Sequence, residues 1–107
     1  KSEWETLIAY IGGSSVGGGK LKFFGFEIWK APNILGSNDY SFDAYPTGYR
    51  DWLGHYFEEL GYHCYIWSST ENDYNTSYNI SLSNEDKQVF LGARGKGDGL
   101  CIRCIKD

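Results

Sequence analysis

The chain has 107 residues, the size of one domain with one hydrophobic core, and folding should hide roughly 60–70% of the surface its unfolded form exposes. Nine Tyr, six Phe and four Trp with no Met place the packing on large, rigid, partly polar rings, and fourteen Gly against two Pro imply many tight turns between short strands. A formal charge of −4 with ten scattered Lys and Arg excludes the basic stripe that nucleic acid needs, and no apolar run approaches the ~20 residues that cross a bilayer.

Ser2-Glu3-Trp4-Glu5 reads as a capping box, the Ser2 hydroxyl accepting from the Glu5 amide while the Glu5 carboxylate reaches back. Trp4, Leu7, Ile8 and Ile11 then recur at helical spacing until Gly12-Gly13 supplies a left-handed stop. Residues 16–24 form a second short helix with Lys20 and Lys22 outward and Leu21 and Phe24 inward, weakened by three consecutive glycines. From 27 to 41 no period holds, and the Asn, Gly, Ser and Pro content predicts a long structured loop.

Short strands follow at 42–45, 62–68, 78–82, 89–92 and 100–105, separated by turn residues. Helices first and strands afterwards, without alternating βαβ units, predict an α+β fold with a mostly antiparallel sheet. Three Cys in so short a chain point to an oxidising compartment, and the odd count leaves one thiol without an internal partner.

Taken together, Ser2-Glu3-Trp4-Glu5-Thr6-Leu7, Gly18-Gly19-Lys20-Leu21-Lys22 and the spaced set Asn38, Phe42, Ala44, Pro46, Gly48, Tyr49 and Arg50 carry a resemblance. So do Gly61-Tyr62 leading into Trp67-Ser68-Ser69-Thr70-Glu71, and the closing Leu100-Cys101-Ile102-Arg103-Cys104-Ile105-Lys106-Asp107. The whole chain, 1–107, resembles the Fibrobacter succinogenes major paralogous domain, a family of bacterial surface and secreted modules, as one domain trimmed at its N-terminus.

That resemblance implies a C-type-lectin-like fold, distantly related to formylglycine-generating sulfatase-modifying enzymes, on a secreted or surface-anchored bacterial protein such as a lipoprotein. Such a fold assigns no function by itself. The cysteine pattern those enzymes use for chemistry is missing, so the resemblance implies a non-catalytic module that binds a glycan or protein, or a purely structural one, with no cofactor. The family's preceding stretch, Leu-Cys-Pro-x-Gly-Trp-His-Val-Pro, is not in this sequence. Its Cys would pair with Cys104, leaving Cys64 and Cys101 as a second disulfide. Trp4, Gly48, Arg50, Trp67, Ser68, Ser69 and Arg103 are the motif positions with structural roles.

Read as chemistry, the remaining constellations are weak. Cys101-x-x-Cys104 with Cys64 and His63 offers zinc-type ligands, but Ile102-Arg103 continues a strand where a zinc knuckle needs a turn. His63 and Cys64 are neighbours on a strand and point to opposite faces, and Ser68-Ser69 with His55 forms no nucleophile elbow. Gly13 to Lys20 fails the phosphate-loop pattern at both ends. Glu58-Glu59 and Glu85-Asp86 read as solvated neighbours.

Glu71, Asn72, Asp73 and Asn75 offer hard oxygen ligands for calcium in one loop, for which an ordinary polar turn is the favoured reading. Ala31-Pro32-Asn33 lacks the carboxylate of a sugar-binding calcium motif. Tyr56, Phe57, Tyr74 and Tyr78 lie near turns, where rings either stack on a sugar or partner or cap the small core. Trp67 is expected to be buried, with Ser hydroxyls tying loops to backbone amides. Arg50 and Arg103 are expected inside or in a cleft, forked onto Glu71 or Asp51.

Overall fold

The computed structural model describes residues 1–24, 27–54 and 56–104, so His55 and Ile105–Asp107 lie outside the described residues. Two helices, α1 (Ser2–Tyr10) and α2 (Ser14–Leu21), precede five strands: β1 (Tyr49–Arg50), β2 (Phe57–Glu58), β3 (His63–Glu71), β4 (Thr76–Ser83) and β5 (Val89–Gly95). Strands β3, β4 and β5 form an antiparallel meander, and β1 pairs with β2 as a separate antiparallel ribbon. The fold is α+β, as the order of the elements predicts.

Along β3 the alternation is clear: Cys64, Ile66 and Ser68 are buried while His63, Tyr65 and Trp67 are half-exposed. Ile80 and Leu82 of β4 and Val89 of β5 extend that inner face, against which Trp4, Ile8 and Ile11 pack. The helical stripe of α1 therefore lands where its spacing predicts, and Gly12 (φ 108°) and Gly13 (φ 97°) stop the helix as expected. The capping box does not form. The helix begins one residue early with Lys1 as its cap residue, the Glu5 amide donates to the Lys1 carbonyl at 3.0 Å, and the Glu5 carboxylate pairs with Lys1 Nζ at 3.3 Å.

The three-glycine run is buried in α2, and its reason is contact rather than propensity. A Cβ on Gly18 would meet the Gln88 carbonyl oxygen at 1.9 Å, and one on Gly19 the Leu35 carbonyl oxygen at 2.4 Å. The helix thus lies backbone to backbone against the β4–β5 connection, with the Gly19 amide donating to the Lys87 carbonyl at 3.1 Å.

α2 ends at Leu21 rather than at Phe24, and this reverses two expected orientations: Lys22 is fully buried and Phe24 is exposed. Extended backbone at Lys22 (φ −69°, ψ 137°) turns its side chain inward, where Nζ donates to the carbonyls of Ile34 (2.9 Å), Ser83 (2.8 Å) and Asp86 (2.8 Å). The ammonium also lies 5.4 Å from the ring centre of Trp29, whose indole N–H donates to the Ala44 carbonyl. Burial pulls the Lys22 pKa down to about 8, against the pull of the Asp86 carboxylate. The 27–41 segment has no helix or strand, as expected, and is organised around Trp29 and this ammonium.

Two expected strands shrink to single bridges. Of 42–45 only Ala44 pairs, with Lys22, and of 100–104 only Cys101 pairs, parallel to Ile66. The β1–β2 ribbon has no counterpart among the expected strands, because two-residue strands carry no detectable alternation.

Candidate functional site

A groove of about 1030 Å³ lies beside α1. Helix α1 contributes Trp4 and Leu7, with Glu3 also lining it; β3 contributes Trp67, Ser68 and Ser69; and the segment after Cys101 contributes Ile102, Arg103 and Cys104. Phe42 joins these walls, with its ring edge-on to Trp4 at 6.1 Å and the Arg103 guanidinium over it at 4.3 Å. Ser77, Lys1 and Lys96 complete the lining.

Local sequence explains this placement. Trp4 belongs to the buried stripe of α1, while Leu7 is half-buried at its side. The alternation of β3 breaks at a bulge between Trp67 and Glu71, where Ser68 is buried and Ser69 exposed. Ser68 Oγ accepts from the Thr70 amide at 3.1 Å and from the Lys1 nitrogen at 2.7 Å, the latter tying the start of α1 to β3. Ser68 thus bonds a nearby backbone amide through its hydroxyl, while Ser69 is exposed.

The motif residues Trp4, Trp67, Ser68, Ser69 and Arg103, read from sequence as architecture, thus come together around one open hollow. Trp67 is half-exposed there, not buried, because it sits on the outer face of β3 just before the bulge. Arg50 and Arg103 are exposed and each lines a hollow, the cleft rather than the interior alternative, while Glu71 does not fork onto either but pairs with Lys96 at 2.7 Å. Gly48 is buried with φ 62°, and a Cβ there would strike the Glu58 carbonyl at 1.9 Å, so its place in the motif is backbone fit.

The ring candidates scatter. Phe57 is 82% exposed and lines a shallower hollow of about 390 Å³ with Arg50, Tyr49 and Leu100; Tyr56 is exposed beside it in sequence. Tyr74 is 87% exposed in the β3–β4 turn, and Tyr78 is half-buried with Lys1 Nζ 4.9 Å from its ring centre. None of the four lines the larger groove.

The embedded arginine is Arg94, missed because β5 was expected to end at Gly92. Its guanidinium lies 4.1 Å from the Tyr49 ring centre and 4.6 Å from that of Tyr65, with Nε donating to Asp98 at 3.1 Å. Burial, the largest single influence, lowers the Arg94 pKa, but the hydrogen bonds to Asp98 and Tyr49 and the charges of Tyr65 and Asp98 together outweigh it and the net shift is upward. Around it Tyr49 donates to Glu58 at 2.8 Å and Tyr65 to Glu59 at 2.6 Å, and Glu59 also faces His63 Nδ1 at 3.1 Å. The hydrogen bond to Glu58 pushes the Tyr49 hydroxyl pKa up; burial, then Glu59, does the same to Tyr65. The Glu58-Glu59 pair therefore anchors tyrosines rather than simply facing solvent.

The Cys64–Cys101 disulfide that the resemblance implies is not formed: all three cysteines are free thiols, Cys64 buried, Cys101 half-buried with Sγ 2.9 Å from Thr47 Oγ1, and Cys104 exposed at the groove. Burial, with Cys101 nearby, pushes the Cys64 thiol up to about 12, the opposite of an activated nucleophile. In the β3–β4 turn, Asp73 Oδ1 accepts from the amides of Asn75 and Thr76, both at 2.8 Å, and Asn72 Nδ2 donates to Thr76 Oγ1 at 3.0 Å. Hydrogen bonds from the Thr76 hydroxyl first, and the Asn75 amide second, hold the Asp73 carboxyl below its ordinary range. Among the described residues no three His, Cys, Asp or Glu side chains converge on a common point.

These features define a small α+β domain in which two helices cover a three-stranded meander and leave one broad groove at the side of α1. Residues 1–106 match the Fibrobacter succinogenes major domain, and the chain belongs to that family. No curated protein and no solved structure matches it.

Proposed function

We propose that this domain is a non-catalytic binding module of a secreted or cell-surface bacterial protein, and that its ligand, a glycan or a protein, sits in the groove beside α1. The observation that carries this reading is the groove's lining. Apolar surface from Trp4, Leu7, Trp67 and Ile102 lies beside serine hydroxyls and a guanidinium, Arg103, that has no carboxylate partner among the described residues.

A glycan array and a pull-down of surface proteins, each run with the native domain and with Arg103→Ala, test the reading. A ligand retained by the native domain and weakened at least tenfold by Arg103→Ala supports it. A folded domain that binds nothing in either format sinks it and leaves a structural role.

A further inference from the structure

We propose, resting on the reading above, that the groove accepts an extended peptide segment of a partner protein, added as a strand to the free edge of β3 with an acidic side chain facing Arg103. Three observations converge on this ligand.

The first is an interrupted sheet edge. Cys101 pairs with β3 through two backbone bonds, its amide donating to Tyr65 at 3.1 Å and its carbonyl accepting from Trp67 at 3.0 Å. Among the described residues no backbone bond carries the pairing on to Ile102, Arg103 or Cys104, although β3 continues to Glu71. The chain leaves the edge at the point where Trp67, Ser68 and Ser69 line the groove. An open edge flanked by an apolar hollow is the geometry of strand addition, in which main-chain bonds give affinity and alternate side chains fill pockets.

The second is the character of the walls. Trp4 is almost wholly buried and the Arg103 guanidinium covers a face of Phe42, so two of the three rings in the lining offer little face to a pyranose. What remains open is aliphatic and indole surface, Leu7, Trp67 and an Ile102 that is 76% exposed, suited to the apolar side chains of a peptide.

The third is charge. In a chain of net charge −4 the groove gathers Lys1, Lys96 and Arg103 against Glu3 alone. Lys96 is held by Glu71 and Lys1 by Glu5, which leaves Arg103 as the cation free for an incoming carboxylate.

The thiol of Cys104, exposed in this lining, supplies the readout: its rate of alkylation by iodoacetamide, followed by mass spectrometry at that residue. Added peptides are octamers of alternating Leu and Glu, the same with Lys for Glu, and the Leu-Glu octamer N-methylated along one edge. A tetragalacturonate serves as the saccharide arm. The expected result is at least fivefold protection by the Leu-Glu octamer, none by the Lys or N-methylated forms, and a reversed preference, Lys over Glu, in Arg103→Glu. Protection by the N-methylated octamer overturns strand addition, as does a longer form of the polypeptide whose Cys104 is already protected before peptide is added. Protection by tetragalacturonate alone overturns the peptide and keeps the binding module, and a thiol that no peptide or glycan protects overturns both.

Discussion

Of the cations that lie against aromatic rings in this domain, Lys22 and Arg103 have surroundings that could hardly differ more. Lys22, beside Trp29, has no solvent exposure and gives its protons to three main-chain carbonyls drawn from the 27–41 loop, the end of β4 and the β4–β5 connection. Arg103, over Phe42, is exposed, and no carboxylate among the described residues pairs with it. The first is committed to the fold and the second is available to a ligand, although in sequence both are basic residues next to apolar ones. Replacing Lys22 by Met keeps the stem, removes the donor to three part-buried carbonyls, and should cost about 4 kcal/mol, the largest effect expected of any single change here. That would consume much of the ~5–15 kcal/mol of a domain this size, so the urea midpoint should collapse. A loss under about 1 kcal/mol would mean that water reaches those carbonyls and the contrast is false.

The same region offers a second way to break the comparison. Gly→Ala in a helix interior ordinarily stabilises by roughly 0.5–1 kcal/mol, but at Gly18 the new methyl would overlap the Gln88 carbonyl, 1.9 Å away. Gly18→Ala should therefore destabilise by about 2 kcal/mol, while Ser15→Ala, on the exposed part of the same helix, should be neutral or better. Equal thermal midpoints for the two variants would remove the claim that α2 is seated by backbone contact.

This contact also marks where sequence reading reached its limit. The stripe of Trp4, Ile8 and Ile11 and the three long strands were legible because each obeys a local period, and local periods report which face is buried. The role of Gly17-Gly18-Gly19 was not, since propensity scores them as a weak helix and only the opposing chain explains them. Lys22 was misplaced for a related reason. The helix ends one residue before it, and no local signal announces three carbonyls from distant segments. At the groove the motif residues were legible one by one as positions with structural roles, but no local pattern announced that Trp67, Ser69 and Arg103 meet around one open hollow. Arg94 was overlooked because the run 93–95 lacks the bulky alternation that flags a strand.

The buried thiol of Cys64 carries a pH signature that a groove residue should lack. Its pKa rises from 9.0 unfolded to about 12 folded, so between these values the unfolded state holds fewer protons and stability falls as pH climbs above 9. Native protein should lose about 1 kcal/mol by pH 10 that Cys64→Ala does not lose, in urea titrations at pH 8 and 10 under reducing conditions. Lys22, which titrates near 8 and acts in the opposite direction, is common to both proteins and cancels in the difference. Matching slopes would mean that the thiol is hydrated in the folded state.

Arg103 closes the comparison with the smallest expected change in stability. Its guanidinium is solvated and its one ring contact is worth roughly 0.5 kcal/mol at an exposed site, so Arg103→Gln should shift the thermal midpoint by no more than that implies. A residue that matters this little to folding, placed in the lining of this groove and left without a counter-charge among the described residues, gains its importance only when something else is bound. Should Arg103→Gln instead unfold the domain as readily as Lys22→Met, the guanidinium would belong to the architecture, and the groove would lose the charge on which its recognition of a carboxylate depends.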